Sequence, residues 1–391
     1  MYKMLKNCIK IAIFCCFVVL IIKPVFAQTT EFSTQSIADT STNPLDAKGA
    51  IRIMNKTITS PVAAVQKVSL KIERTEKADG EIEDYLKSEF PLITDKTIEE
   101  IEGTKEISSF ALLDSSGVYD TYVNFYVPKN YLEERPKILW ELNIPAFQSH
   151  IYQIYSGDTI LLDIWPNVVG KPSTRTFTGH YQAFRLRNWP FWKDPESPDS
   201  VRPTPPGPNN PLGLFVVHYD ENSLRYFHGT NKNYLLSKEY RALSHGCVRN
   251  DNGNIAKMKE FIIKKVIKSD DLEFWLNSKK SMTYEIKEDD RFPVRIIYRT
   301  FDVSSDELGE YIIFYQDIYN YGGGSKLSEF DVPDLITLTT IENVTSEIKL
   351  KYPSRLTSNE TIIPILDNLV SKHKDYHKYY FDDILSYGPG N

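Results

Sequence analysis

Two short segments hold the residue types that could do covalent chemistry. Cys247 lies in Ser244-His245-Gly246-Cys247-Val248-Arg249, and His228 lies in Tyr226-Phe227-His228-Gly229-Thr230, with fifteen residues between His228 and Ser244. The other three cysteines, Cys8, Cys15 and Cys16, fall in an apolar N-terminal stretch. A chain trimmed of that stretch keeps one thiol and cannot form an internal disulfide. One cysteine with a histidine at workable distance is the pattern of a covalent nucleophile and its base. A thiol attacks as the thiolate, and an ordinary pKa of about 8.5 leaves only a few per cent ionised at neutral pH, so a neighbouring imidazole is the usual remedy.

The glycines beside these residues add the second half of such a site. Gly229 lets the chain turn sharply after His228, and Gly246 allows close backbone approach beside Cys247. A tight turn at Gly246 would aim successive N–H groups at one point near the sulfur, which is how an oxyanion is held during acyl transfer. A zinc site from His228, His245 and Cys247 lacks an evident fourth ligand, and no metal or cofactor is expected. His150, His180, His218, His373 and His377 show no comparable partner. Taken singly, Cys247 and His228 would each read as buried structural residues; only the pair points to chemistry.

The elements that must position this pair begin after a leader. Lys3, Lys6 and Lys10 precede the apolar run Ile11 to Ile22, and Val25-Phe26-Ala27 offers small residues for a peptidase. The run is short for a membrane span, which needs about twenty apolar residues. A signal peptide over residues 1–27 is the first reading, an uncleaved anchor the second, and either exports the rest to the cell envelope, with the periplasm as the expected compartment. Of the 46 basic residues four lie in the leader, which has no acid, so 42 basic residues face 52 acidic ones beyond it, a balance of −10. That excess argues against nucleic acid as a partner, because phosphate binding needs local positive charge. The sequons at Asn55, Asn343 and Asn359 read as chance matches.

About 360 mature residues suggest two domains on size. Residues 28–48 are rich in Ser, Thr, Gln and Asp and read as a flexible tether. An α+β accessory domain is expected over 49–136, with strands near Val68 to Glu73 and Thr121 to Val127 and a solvated acidic helix from Lys96 to Lys105. No chemistry is evident there. From Ile138 strand-like runs succeed one another: Ile138 to Leu142, Ser149 to Tyr155, Thr159 to Ile164, Thr178 to Leu186, Leu214 to Tyr219 and Leu224 to His228. One helix follows the cysteine, from about Asn254 to Ile267, with Ile255, Met258, Phe261, Ile262 and Val266 on one face and Asn252 or Asn254 as its cap. Eight prolines between Pro190 and Pro211, opened by Trp189, Phe191 and Trp192, make an irregular loop that is either a lid or a surface excursion. Pro293 to Thr300 and Tyr311 to Tyr315 read as a closing pair of strands. Gly322-Gly323-Gly324 marks a hinge into a polar extension over 319–391 of unassigned role.

The joint pattern of His228, a fifteen-residue gap and Ser244 to Arg249 resembles the signature of the L,D-transpeptidase (YkuD-type) catalytic domain. Val169-Gly170-Lys171-Pro172-Ser173-Thr174 with Thr178-Gly179 is similar to the family's strand and turn before the site. Gly207-Pro208-Asn209-Asn210-Pro211-Leu212-Gly213 resembles its Asn-Pro-Leu-Gly approach. Leu142 to Phe147 and Pro293 to Thr300 look most like the large periplasmic YcbB-like branch. Phe177 departs from the pattern where proline often stands, and the gap before Ser244 is too short for a capping subdomain. The resemblance covers about 138–318. It implies a mainly β catalytic domain, a YkuD-like β-sandwich with a helix after the nucleophile, beside the N-terminal α+β accessory domain.

By residue, the resemblance implies Cys247 as nucleophile, His228 as base and the Gly229 carbonyl as orienter of the imidazole. The amides of His245, Gly246 and Cys247 would meet the oxyanion. Ser244 and His245 would shape the pocket, and Arg249 and Thr230 would meet substrate, Arg249 through a carboxylate. The implied partners are peptidoglycan stem peptides. Transfer to water would make the same site an L,D-carboxypeptidase, and transfer to a protein amine would attach that protein to the wall. An inactive wall-binding module is the reading from a different class, and the intact Cys247 and His228 oppose it. A papain-type peptidase would need an Asn or Asp orienting the histidine, and none is evident.

Overall fold

The computed structural model describes residues 51–53, 56–58, 64–111, 119–194, 197–223, 225–268, 272, 274, 278–357, 362–372 and 374–386. The leader with Cys8, Cys15 and Cys16, the expected tether, the sequons at Asn55 and Asn359, and His373 lie outside these residues.

Alternating strands in the N-terminal part give a three-stranded antiparallel sheet. Strand β1 (Val65–Ile72) pairs with β3 (Tyr119–Pro128), which also pairs with β2 (Glu106–Ala111). Helices α1 (Ala78–Glu89) and α2 (Asp95–Glu102) connect β1 to β2. Thr94 caps α2 by accepting from the Thr97 amide at 3.2 Å. This is the acidic helix read from Lys96, but it is not merely solvated, because Ile98 and Ile101 face inward and are buried.

The next stretch forms two packed sheets. The first contains β4 (Lys137–Asn143), β5 (Gln148–Tyr155) and β6 (Asp158–Pro166) as a meander. A two-residue strand β7 (Val169–Gly170) follows, then β8 (Gly179–Ala183) and β9 (Arg185–Asn188). The run Thr178 to Leu186, expected as one strand, therefore divides. Ala183 and Phe184 are buried in succession, which breaks the two-residue period, and the Phe184 amide bonds the His218 carbonyl at 3.0 Å. The chain leaves the first sheet there and enters the second.

The second sheet continues with β10 (Phe215–His218) and β11 (Tyr226–His228). Strand β12 (Ala242–Ser244) pairs with β7, and β13 (Val248–Arg249) pairs in parallel with β11. Helix α3 (Asn252–Phe261) follows, then β14 (Met282–Glu285) and β15 (Phe292–Arg299). The strand orders are β8-β15-β4-β5-β6 and β13-β11-β10-β9-β14. Trp140 of the first sheet stacks on Phe227 of the second at 3.9 Å and meets Trp165 edge-on at 5.6 Å. All three are essentially solvent-free, so this aromatic group is the centre of the sandwich.

The helix after the cysteine is capped by Asp251, one residue before Asn252 and three before Asn254, the two expected caps. Its carboxylate accepts from Gly253 at 2.7 Å and Asn254 at 3.4 Å. Residues Ile262–Ile267 continue as a π-turn that brings Ile263 inward beside Ile262. Phe261 meets Phe90 edge-on at 5.2 Å, and Lys265 pairs with Glu89 at 3.2 Å, so the N-terminal part backs the helix that follows the nucleophile.

Past β15 the chain changes cores. Tyr298 belongs to the sandwich interior, whereas Phe301 and Val303 belong to a second apolar cluster. Strand β16 (Phe301–Asp306) pairs with β17 (Gly309–Phe314), so the expected pairing of Pro293–Thr300 with Tyr311–Tyr315 does not form. Helices α4 (Ile341–Lys351) and α5 (Ile362–Lys372), strand β18 (Lys378–Tyr380) and helix α6 (Phe381–Ser386) complete this smaller α/β unit. Gly322 to Gly324 form a bonded turn rather than a loose hinge: Gly322 donates to Asp317 at 2.7 Å and Gly324 to Tyr321 at 3.1 Å.

Because Trp140 ties the two sheets through one ring stack, Trp140→Ala is expected to cost about 3–5 kcal/mol of unfolding free energy. Denaturant unfolding measures this; a loss below about 1 kcal/mol would mean that the aromatic group is not central.

Candidate active site

The parallel register of β11 and β13 decides what faces what. Phe227 lies opposite Val248 and His228 opposite Arg249. Phe227 and Val248 are fully buried in the sandwich core. By the two-residue period of a strand, Tyr226, His228 and Arg249 face the other side, and Cys247, one residue before Val248, comes level with Tyr226 there. Cys247 is half-buried and in no disulfide. The Tyr226 amide and hydroxyl both hydrogen-bond its sulfur. The Tyr226 and His228 rings lie 5.7 Å apart.

The turn carrying Cys247 is pinned by side chains. Ser244, buried, donates from Oγ to the Cys247 carbonyl at 2.6 Å and accepts from the Gly246 amide at 3.1 Å. The Gly246 amide, expected to serve an oxyanion, is thus engaged by Ser244. Gly246 has φ +111, and a Cβ there would stand 2.8 Å from Arg225 Nε. Only glycine fits both the dihedral and the space. The Thr176 hydroxyl donates to the Gly246 carbonyl at 2.8 Å and accepts from the Gly170 amide at 2.9 Å. Tyr319 in turn donates to the Gly170 carbonyl at 2.9 Å and accepts from the Thr176 amide at 3.0 Å. His245 is exposed, with Nε2 3.4 Å from Lys171 Nζ.

His228 is held from the other side. Its Nδ1 lies 2.6 Å from the Gly229 carbonyl, which can only accept, so Nδ1 carries the proton and Nε2 keeps its lone pair. Asn252 braces the strand end, accepting from the Thr230 amide at 3.0 Å and donating to the Thr230 carbonyl at 2.8 Å. A Cβ on Gly229 would fall 2.3 Å from Asn252 Oδ1, so this brace requires glycine. Thr230, expected to meet substrate, is buried, and its hydroxyl accepts from the Lys232 amide at 3.0 Å. The structure gives it a place inside the turn. A buried chain of amides runs behind the site: Ser149 donates to Asn167 at 2.7 Å, and Asn167 to Asn250 at 2.8 Å.

Burial dominates the electrostatics. It pushes the Cys247 thiol above its ordinary value, against the opposing pull of the Tyr226 hydrogen bonds and the Arg225 and Arg249 charges. Burial also lowers His228 to about 3, helped by Arg249, while the Gly229 and Leu212 carbonyls favour the protonated ring. The resting pair is therefore a neutral thiol and a neutral imidazole. Burial likewise lowers Arg249 from its ordinary value, opposed by Cys247.

A cleft of about 430 Å³ borders the nucleophile turn at His245. Its walls come from the 172–177 segment, Arg225 and the C-terminal residues Lys326, Leu327 and Ser328; no described residue of the proline-rich loop lines it. That loop is instead closed on itself, with Trp192 bridging to Thr204 and Asn210 Nδ2 donating to the Pro190 carbonyl at 2.8 Å. Sequence reasoning passed over Arg225 and Tyr226, although both stand within three residues of His228. It also passed over Thr176 and Asn250, which flank quoted motifs, and read Asn252 only as a helix cap, whereas it braces Thr230. Tyr319 gave no local signal.

Residues 143–267 match the family model of the YkuD L,D-transpeptidase catalytic domain, a span inside the 138–318 region singled out by motif. The match covers 125 of the 391 residues, so it is this stretch that resembles the family's catalytic domain. No curated protein matches it. Among solved structures, an L,D-transpeptidase from Mycobacterium tuberculosis H37Rv is 14% identical, covering 60% of this chain and 91% of that one, with a TM-score of 0.25. An Enterococcus faecium L,D-transpeptidase is 15% identical, covering 43% of this chain and 51% of that one, at 0.25. The helical cell shape determining protein Pgp2 from Campylobacter jejuni is 12% identical, covering 42% of this chain and 48% of that one, at 0.24. At these scores the likenesses carry no argument about function.

A raised thiol sharing a face with an imidazole that stays neutral down to about pH 3 has a simple consequence. Alkylation of Cys247 by iodoacetamide is expected to keep climbing into the alkaline range, slower near pH 7 than for an ordinary cysteine. A plateau reached by pH 7 would mean a thiolate–imidazolium pair and would contradict this electrostatic account.

Proposed function

We propose that this chain is an exported L,D-transpeptidase that cross-links peptidoglycan stem peptides through a thioester on Cys247. The observation that carries the reading is the placement of His228 and Cys247 on one face of paired strands, within a domain that matches the transpeptidase family. His228 Nε2 takes the proton of the Cys247 thiol as sulfur attacks the carbonyl of the third residue of a donor tetrapeptide. The same proton then goes to the amine of the departing D-amino acid, leaving the stem as a thioester. An acceptor amine, in this reading the side-chain amine of a second stem, attacks the thioester and regenerates the thiol.

The amides of His245 and Cys247 receive the oxyanion, since Gly246 is engaged by Ser244. Imidazolium formed in the step gains from the Gly229 and Leu212 carbonyls, which favour the charged ring. Arg249 opposes that charge until a substrate carboxylate meets it, so binding the stem primes the base. In this reading residues 1–27 supply export to the periplasm, where the stems are, and the sequence features near Leu142 and Pro293 support a YcbB-like branch.

The test is incubation of the mature chain with purified tetrapeptide stems, followed by separation of the products. Dimers with release of the terminal D-amino acid are expected, and none from Cys247→Ala. Tripeptide monomers without dimers would reassign the enzyme as an L,D-carboxypeptidase. Dimers from the alanine variant would overturn the reading.

A further inference from the structure

The cleft beside the nucleophile turn is cationic in a chain with an excess of acid. Arg175, Arg225, Lys326 and His245 line it, and no Asp or Glu does. Among the described residues neither Arg175 nor Arg225 forms an ion pair with a carboxylate, although many surface cations of the chain do. Their planes are set by backbone carbonyls and rings instead. Arg225 Nε donates to the Arg175 carbonyl at 2.6 Å, Nη1 donates to the Ser223 carbonyl at 3.0 Å, and its guanidinium lies 3.8 Å from the centre of the Phe177 ring. Arg175 Nε donates to the Pro172 carbonyl at 3.2 Å and Nη1 to the Lys326 carbonyl at 2.9 Å, and the group sits over Tyr319 and Tyr321. A guanidinium has five N–H donors, so each arginine keeps donors beyond these bonds, held in a fixed fork suited to a carboxylate.

The C-terminal wall of the cleft is built in rather than laid alongside. Buried Asp331 accepts from the Ser328 amide at 2.9 Å, from the Tyr321 hydroxyl at 2.9 Å and from the Thr178 amide at 3.1 Å. One carboxylate thus fastens the segment with Lys326 to the loop with Arg175. This spends Asp331 on structure and leaves the arginines without an acid.

We infer that Arg175, Arg225 and Lys326 form a carboxylate subsite that recognises the free C-terminal carboxylate of the donor peptide, the end that departs when Cys247 is acylated. The inference rests on the proposed acyl transfer for the identity of the peptide. The subsite adjoins the residue preceding Gly246, on a turn whose sulfur attacks the last peptide bond, so the departing residue and its carboxylate fall near this cleft. It makes the enzyme a reader of chain ends: a peptide extended or amidated at that position loses the charge that the cleft is built to meet. It also gives the C-terminal extension a role in specificity through Lys326.

Binding separates this inference from the catalytic reading. The full mature chain carrying Cys247→Ala is titrated with acetyl-Lys-D-Ala and with its C-terminal amide by calorimetry. The acid is expected to bind roughly ten- to a hundredfold more tightly than the amide, the scale of a charge-assisted hydrogen bond. Adding Arg225→Gln should remove most of that preference. Because Arg225 also packs on Phe177, Lys326→Gln at an exposed position serves as the second variant and should reduce the preference without loss of fold. Equal affinity for acid and amide, no binding of either, or a preference unchanged in both variants overturns the subsite. Failure of the unsubstituted chain to turn over stems while the acid preference persists overturns the transfer reaction and leaves the subsite standing.

Discussion

The opposition of Phe227 and Val248 across two parallel strands is the constraint on which the site depends. Both side chains are committed to the core, Phe227 by its stack on Trp140. A strand has a two-residue period, so a slip by one residue would turn His228 into the sandwich core and Phe227 out of it. The cost of exposing a large aromatic side chain, on the order of 2–3 kcal/mol, opposes such a slip before any polar contact is counted. Chemistry on one face is thus held in register by hydrophobicity on the other.

Polar braces then set the finer geometry. Ser244 and Thr176 hold the glycine turn, Asn252 holds the end of β11, and the Ser149–Asn167–Asn250 chain joins the two sheets behind them. All but the half-buried Asn252 are buried, where a hydroxyl or amide left without a partner costs about 1–3 kcal/mol. That penalty makes alternative turn conformations expensive and keeps the nucleophile in place. The same burial that stiffens the site keeps the thiol protonated and the imidazole neutral at rest.

The sequence was legible where a residue type admits few uses. Cys247, His228 and the glycines at 229 and 246 stood out because a lone thiol, a histidine and flexible turns can be read together. Most strands of the sandwich were legible from alternation. The crossing of sheets at Phe184 was not, because two successive buried residues look like the continuation of a fully buried strand. The change of core at Thr300 was hidden for a similar reason: β15, β16 and β17 all alternate, and alternation does not say which strand pairs with which. Asp331 lies 153 residues from Thr178 and Tyr319 lies 149 from Gly170, so only the folded chain brings them into the argument. Thr230 stands two residues after His228 and invited a substrate role, whereas its polar groups are engaged inside the turn.

Trapping the acyl-enzyme tests the central claim most directly. The mature chain is mixed with a tetrapeptide donor in the absence of an amine acceptor, quenched in acid, digested and mapped by mass spectrometry. The account predicts that the peptide containing Cys247 gains the mass of the stem less its terminal residue, in a linkage that hydroxylamine cleaves. An adduct on any other residue, or turnover of the donor with Cys247 alkylated beforehand, would contradict it.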